Sequence, residues 1–283
     1  TDVVAIPTET VYGLAARIDV PKAIDKVFCL KNRPKENPLI VHLHSEKDLH
    51  HYTDEKVEEE LLDYWSGPLT LILKAKNLSN SITAGLPTAA FRVPNHPLAL
   101  EILKETGPLV APSANLSGYP SATHYKHVEN DFGPDFPVVD GGICENGLES
   151  TILAKKEGKW RILRLGALSA EDLEKKLGYK PEIVAPGAKP ECPGQLFKHY
   201  SPKAKLVFKG DAEAVLGFAD RKYDLPLVAL GASSDPVEIA SNLYDALRSL
   251  DQLGCKTVLV DMDFPRDGLY RTIYERLLKA SQN

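Results

Sequence analysis

The sequence predicts an α/β protein made of two folded units with a proline-rich connection between them. Short apolar runs alternate with longer helix-like stretches through the first part of the chain, and the alternation resumes after residue 203. Between these stretches, residues 181–202 carry five prolines and two glycines with no period long enough for a packed element. At 283 residues and 43% hydrophobic content the chain can build about two cores.

The first strand runs over Val3–Ile6 and ends at Pro7. Further strands are expected at Leu39–Val41, Leu69–Leu73, Leu109–Ala111 and Thr151–Leu153, and Arg92 lies on another, half-buried one. Helices are expected at Pro21–Leu30, Glu46–Tyr64 and Pro97–Thr106, two of them opening on a proline whose missing N–H costs nothing there. A strand and turn at Trp160–Gly166 leads to Ser169-Ala-Glu-Asp, a capping-box start for a helix that stops at Gly178. This closes a first unit of residues 1–179. The linker, 180–203, holds Ile183, Val184, Leu196, Phe197 and Tyr200, whose apolar character predicts that it lies against a domain. In the second unit, 204–283, strands are expected at Ala204–Phe208, Leu225–Leu230 and Thr257–Val260, with helices at Ala212–Ala219, Val237–Leu253 and Gly268–Ala280.

Composition removes several function classes. A net charge of −5, from 34 Lys+Arg against 39 Asp+Glu, does not suit a protein whose main task is coating nucleic acid. No run approaches the roughly 20 apolar residues of a membrane span, and TDVVAIPTET shows no signal-peptide pattern. Cys29, Cys144, Cys192 and Cys255 are widely spaced without a C-x-x-C pair, which reads as reduced thiols in a cytoplasmic protein. Neither a Rossmann G-x-G-x-x-G nor a P-loop is present.

Polar groups crowd at strand ends instead. Pro7-Thr8-Glu9-Thr10 follows the first strand, and Lys31, Arg33 and Lys35 sit on a proline-stiffened loop after a helix, where Lys and Arg together suit neighbouring phosphate oxygens. Arg92 needs a carboxylate or phosphate partner, internal or bound. Pro112-Ser113-Ala114-Asn115 has the chemistry of an anion-holding loop, and Glu149-Ser150-Thr151, Arg164 and His199-Tyr200 complete the set. Taken alone, the Pro7–Thr10 turn and the cationic loop fit a structural turn and a helix-dipole contact better than a site, and Arg92 fits an internal salt bridge as well as a ligand. His42-x-His44 and His124-x-x-His127 have metal-compatible spacing but no third ligand, so no metal site is expected. No nucleophile signature stands out.

Taken in order, PTETVYGL, LKNRPKENPLIVH, FRVPNHP, PSANLSG, LESTI, RLG and KHYSP resemble the motif series of the two-domain threonylcarbamoyl-AMP synthases, over nearly the whole chain. The resemblance implies a YrdC-like twisted open mixed sheet with helices and a smaller Rossmann-like α/β C-terminal domain. It implies a nucleotidyltransferase that joins L-threonine, bicarbonate and ATP into threonylcarbamoyl-adenylate with release of pyrophosphate. The product feeds a separate tRNA-modifying complex, and Mg²⁺ comes with ATP. Such chemistry needs no enzyme nucleophile, only positioning and neutralisation of phosphate charge.

By the same resemblance, Lys31, Arg33, Ser113 and Asn115 form the catalytic signature. Lys31, Arg33, Asn37, Thr88, Asn115, Ser121 and Arg164 hold ATP, with His199 and Tyr200 covering it from the linker, which acts as a lid. Thr10, His42, Arg92, Ser113 and Ser150 surround L-threonine, Arg92 pairing with its carboxylate. Leu165 stands where the family usually has proline. Two rival readings are a carbamoyl-adenylate or carbamoyl-transfer enzyme and a non-catalytic double-stranded RNA-binding module. The first lacks the acylphosphatase-like or kinase-like module of such proteins; the acidic balance disfavours the second and leaves direct nucleic-acid binding weak or absent.

Overall fold

A computed structural model describes residues 3–185, 192 and 199–282. The first unit is built on eight strands: β1 (Val4–Ile6), β2 (Gly13–Arg17), β3 (Ile40–His42), β4 (Leu69–Lys74), β5 (Thr88–Arg92), β6 (Leu109–Val110), β7 (Thr151–Lys156) and β8 (Lys159–Arg164). They form one mixed sheet in the order β1-β2-β6-β3-β5-β4-β7-β8, parallel at β3–β5 and β4–β7 and antiparallel elsewhere. The helices of this unit are α1 (Pro21–Lys31), α2 (Glu59–Trp65), α3 (Asn80–Thr83), α4 (Pro97–Thr106), α5 (Tyr125–Phe132) and α6 (Ala170–Leu177). The second unit is a parallel sheet in the order β11-β10-β12-β9, from β9 (Lys205–Val207), β10 (Ala214–Gly217), β11 (Leu227–Ala229) and β12 (Thr257–Val260), with helices α7 (Pro236–Gln252) and α8 (Gly268–Ala280).

Side-chain alternation decides which face of the large sheet works and which is core. Ile40 pairs with Ala90 and His42 with Arg92, so these four share one face, while Val41, Phe91 and Leu71 point the other way into the main core. The working face therefore carries one imidazole and one guanidinium at the ends of adjacent strands.

Two expected helices differ. Glu46–Tyr64 breaks into a 3₁₀ turn at Glu46–His51 and α2. Between them, Thr53 Oγ1 accepts from Glu55 N (3.1 Å) and the Glu55 carboxylate accepts from Lys74 N on β4 (2.6 Å), contacts that fix the backbone out of helix. Ala212–Ala219 is not a helix: it holds β10, a wholly buried central strand. A short apolar run buried on both faces has no period to tell helix from strand. The expected α6 is as read, with Ser169 and Asp172 forming the capping box and Gly178 ending it in the left-handed region.

The linker begins as expected against the first unit. Val184 N donates to Ile162 O (2.9 Å), Ile162 N to Glu182 O (2.8 Å), and Cys192 is buried against Ile40, Ala90, Ile152 and Leu163. Leu196 and Phe197 lie outside the described residues.

The two units share a core. Val11 and Leu148 of the first unit, with Tyr200, pack among Leu243, Tyr244, Leu247, Ile273 and Leu277 of α7 and α8. Arg248 clamps Asp131 with two bonds of 2.8 Å and also donates to Pro120 O (2.6 Å), both charged side chains being 8% exposed. Asp245 pairs with His127 at 2.9 Å, and Thr272 Oγ1 donates to Gly166 O (3.0 Å). Among the described residues no helix is long and apolar enough to cross a membrane.

Candidate active site

A cavity opens where the working face meets the loops after β1 and β6 and the segment that leads into β7. Its wall brings together Thr10, Arg33, His42, Arg92, Ser113, Asn115, Ser121, Ser150, Arg164, His199 and Tyr200, residues separated by up to 190 positions in the chain.

The loop after β1 is pinned by its own first threonine. Thr8 Oγ1 accepts from the backbone N–H of Thr10 (3.2 Å) and Val11 (3.3 Å), which turns the chain and leaves Thr10 facing the cavity. Glu9 points under the wall and accepts from Arg92 Nη2 at 2.6 Å, both side chains 5% exposed. Arg92 Nε donates to Gly67 O (3.1 Å). The guanidinium is thus aimed by an internal carboxylate. Glu9 Oε2 has no partner among the described residues.

Beside it, His42 Nδ1 lies 3.2 Å from Ile40 O, so the proton sits on Nδ1 and Nε2 is left as an acceptor. Burial, reinforced by the Arg92 charge, pushes the imidazole down to about 3, which keeps it neutral at any physiological pH.

The Ser113–Asn115 turn is built from below. Ala114 N donates to Tyr12 O (2.7 Å), and the buried Lys31 Nζ donates to Ser113 O and to Asn115 O, the latter at 2.6 Å. Burial and then the Arg33 charge hold the Lys31 ammonium well below its ordinary range. Asn115 Nδ2 donates to Leu116 O (2.8 Å) and Tyr119 O (3.0 Å), which orients its amide. Asn115 Oδ1 is buried with no partner among the described residues, an acceptor in a cavity wall.

On the opposite side, Arg164 Nη2 donates to Ser150 O (2.9 Å) and Ser150 Oγ (3.1 Å), and Ser150 Oγ also meets Thr70 Oγ1 at 2.7 Å. Arg33, half-buried, donates to Pro38 O (2.8 Å); burial and the neighbouring Arg164 charge push it down to about 9, so it stays cationic at neutral pH. Two like charges facing one space are unfavourable until an anion enters. Gly166 lets the loop after β8 lie on the Glu149–Thr151 backbone, since a Cβ there would fall 2.3 Å from Glu149 O and 2.4 Å from Ser150 C.

Three expected site residues are placed elsewhere. Lys31 lies beneath the Ser113–Asn115 turn, Asn37 is buried behind Arg33, and neither is in the cavity wall. Thr88 and Arg92 occupy opposite ends of β5, roughly 13 Å apart at the rise of a strand. Thr88 lines a separate cleft with Lys74, Pro87 and Arg161. His44 bonds Leu100 O and His124 caps α5, and no group of three metal-ligating side chains occurs among the described residues.

Sequence reasoning missed the groups that hold the wall. Glu149 accepts from Ser121 Oγ (2.6 Å), Tyr244 OH (2.8 Å) and Arg276 Nε (3.2 Å). Burial alone would raise this carboxyl, but the Arg276 and Arg164 charges and the bonds from Ser121 and Tyr244 hold it down to about 2. Tyr200 is stacked on Tyr244, ring centroids 5.3 Å apart, with the Arg276 guanidinium over its ring at 4.8 Å. Glu149 belongs to a motif visible in the sequence, whereas nothing in α7 or α8 marks Tyr244 or Arg276 as facing a distant cavity.

Residues 1–166 match the family model described as telomere recombination, and residues 168–282 that of the threonylcarbamoyl-AMP synthase C-terminal domain. A threonylcarbamoyl-AMP synthase of Bacillus subtilis is 38% identical over 312 aligned positions, covering 99% of this chain and 89% of its own. The chain belongs to the threonylcarbamoyl-AMP synthase family. Its fold is that of the crystal structure of Pyrococcus abyssi Sua5 complexed with L-threonine, with a TM-score of 0.90 at 34% identity over 99% of this chain and 90% of the other. Members of this family differ in length: a Yersinia pestis synthase, 35% identical, matches 50% of this chain over 78% of its own. In a family of synthases that use ATP, a wall of hydroxyls, guanidinium groups and amide oxygens without a triad suits phosphate chemistry done by positioning.

Proposed function

We propose that the chain synthesises L-threonylcarbamoyl-adenylate from L-threonine, bicarbonate and ATP with release of pyrophosphate, and that the cavity is where it does so. One observation carries this: both groups of residues expected for the two substrates, apart from Lys31, Asn37 and Thr88, line one continuous space. Threonine enters on the side of Thr10, His42, Arg92, Ser113 and Ser150. The unpaired valences of Arg92 take its carboxylate, while Nε2 of the neutral His42 accepts from the amine or the β-hydroxyl. The nucleotide lies along Arg33, Asn115, Ser121, Arg164, His199 and Tyr200.

The free amine bonds to the bicarbonate carbon as a C–O bond breaks and water leaves, giving a carbamate, and a carbamate oxygen then attacks the α-phosphorus in line with departing pyrophosphate. Arg33 and Arg164 offset the charge on the phosphate oxygens, and the anion in turn relieves their mutual repulsion. Asn115 Oδ1 takes an N–H or O–H donor of the nucleoside. Lys31 acts through the turn it holds. Mg²⁺ accompanies ATP; since the Glu149 carboxylate is already engaged, phosphates and water would supply most of the ion's ligands. His199 and Tyr200 cover the nucleotide and keep water from the adenylate.

The product serves threonylcarbamoyl-adenosine formation in tRNA through a downstream modifying complex. A cytoplasmic setting fits four widely spaced cysteines with no disulfide among them. The test is to incubate the chain with ATP, Mg²⁺, bicarbonate and single amino acids and follow pyrophosphate. Release that requires L-threonine is expected; release without any amino acid, or none at all, refutes the reading.

A further inference from the structure

Glu149 is the single carboxylate among the described residues of the cavity wall, and it faces a space that the proposed reaction fills with a triphosphate. An uncompensated anion there would repel the nucleotide. Arg164 of the first unit supplies part of its compensation, and the direct ion pair comes from the other unit. Arg276, on the last helix of the chain and 0% exposed, donates from Nε to Glu149 Oε2 and from Nη2 to Leu165 O (2.6 Å). Tyr244, on α7, donates its hydroxyl to the same carboxylate, and Ser121 Oγ of the wall donates to Oε1. The same two second-unit side chains both pack on the ring of Tyr200, which also lines the cavity.

We infer that Arg276 and Tyr244 are positioning residues for the synthase reaction: they hold Glu149, and through it Ser121, and pack directly on Tyr200, so that the second unit makes the nucleotide side of the cavity fit for a polyanion. Thr10, His42 and Arg92 on the threonine side are held instead by Thr8, Ile40, Gly67 and Glu9 of the first unit. The effect should therefore divide between the substrates. This inference rests on the proposed function, and the experiment separates the two.

Arg276→Met, Tyr244→Phe, Glu149→Gln and the double variant Arg276→Met/Glu149→Gln are compared with the unaltered chain by pyrophosphate release and by calorimetric titration of ATP. In Arg276→Met the carboxylate loses its ion-pair partner and keeps only the Arg164 charge, and KM and Kd for ATP are expected to rise at least tenfold with KM for L-threonine changed less than threefold. Adding Glu149→Gln removes the stranded charge and should restore most of the ATP affinity, which a merely structural role for Arg276 would not allow. Tyr244→Phe keeps the ring stacked on Tyr200 and loses only the hydroxyl, so it guards against a misfolded arginine variant; it is expected to raise KM for ATP three- to tenfold. ATP affinity unchanged in Tyr244→Phe and in Arg276→Met, or losses in Arg276→Met that Glu149→Gln deepens, would overturn the inference. If the unaltered chain releases no pyrophosphate, the synthase reading fails, and the ATP titrations decide the inference alone: a nucleotide affinity insensitive to these substitutions, or absent throughout, overturns it.

Discussion

Arg248→Met tests how firmly the second unit is held to the first. The guanidinium makes two bonds of 2.8 Å to Asp131 and one of 2.6 Å to Pro120 O. Both side chains are 8% exposed, so water cannot replace the lost partner. Removing one member of a buried pair leaves the other as an uncompensated charge and costs about 3–5 kcal/mol. For a chain of this size that is a fall in Tm of roughly 6–20 °C. The consequence reaches the site, because Asp131 Oδ2 also accepts from Leu116 N (3.2 Å), next to Asn115. Urea unfolding followed by circular dichroism and by the fluorescence of the buried Trp65 and Trp160 gives the loss directly. Arg248→Met/Asp131→Asn should recover most of it, since the stranded charge is then gone. A loss below about 1 kcal/mol in the single variant, the range of an exposed ion pair, would refute the argument that this contact is dry.

Lys31→Met removes two donors from the Ser113–Asn115 turn; we expect about 1.5–3 kcal/mol lower stability together with at least tenfold lower turnover. Full stability with only ATP affinity reduced would show that Lys31 meets phosphate and not the turn. Gly166→Ala places a methyl 2.3–2.4 Å from the Glu149–Thr151 backbone, which cannot yield as a side chain could; about 3 kcal/mol or more of destabilisation should appear in thermal melts. His42, held near 3 when folded, is protonated in the unfolded chain below about 6.5, so the unfolded state binds the extra proton between those values. The stability it contributes is present above about pH 6.5 and is lost as pH falls towards 3, by up to ~1.4 kcal/mol per unit. Urea titrations at pH 7 and pH 5 should show that slope, and His42→Gln should flatten it.

The parts legible in the sequence were those whose signal is local. The capping box at Ser169 and Asp172, the prolines opening α1 and α4, and the strand–polar-turn pattern after β1 and β6 all lie within a few residues of the structure they specify. β10 was misread because a strand buried on both faces shows no alternation, and β2 was missed because Gly13-Leu-Ala-Ala has weak strand propensity and is held by its neighbours β1 and β6. Among the site residues, the resemblance named most of those that face the cavity. It could not separate them from Lys31, whose ammonium turns towards two carbonyls, because that depends on a turn 82 residues away. Glu9 was visible as one residue of a crowded turn, but that it aims Arg92 is a tertiary fact across 83 positions.

The placement of Glu149 bears on why the family contains chains of different length. A Yersinia pestis synthase matches only half of this chain over 78% of its own length, so a protein of that name has little room for a second unit. In the present chain the wall carboxylate is compensated from residue 276, and the ring beside it rests on residue 244. Removing Arg276 leaves Glu149 with the Arg164 charge alone, so the substitution that should come closest to restoring the nucleotide side is the paired one, Arg276→Met with Glu149→Gln, not removal of the second unit.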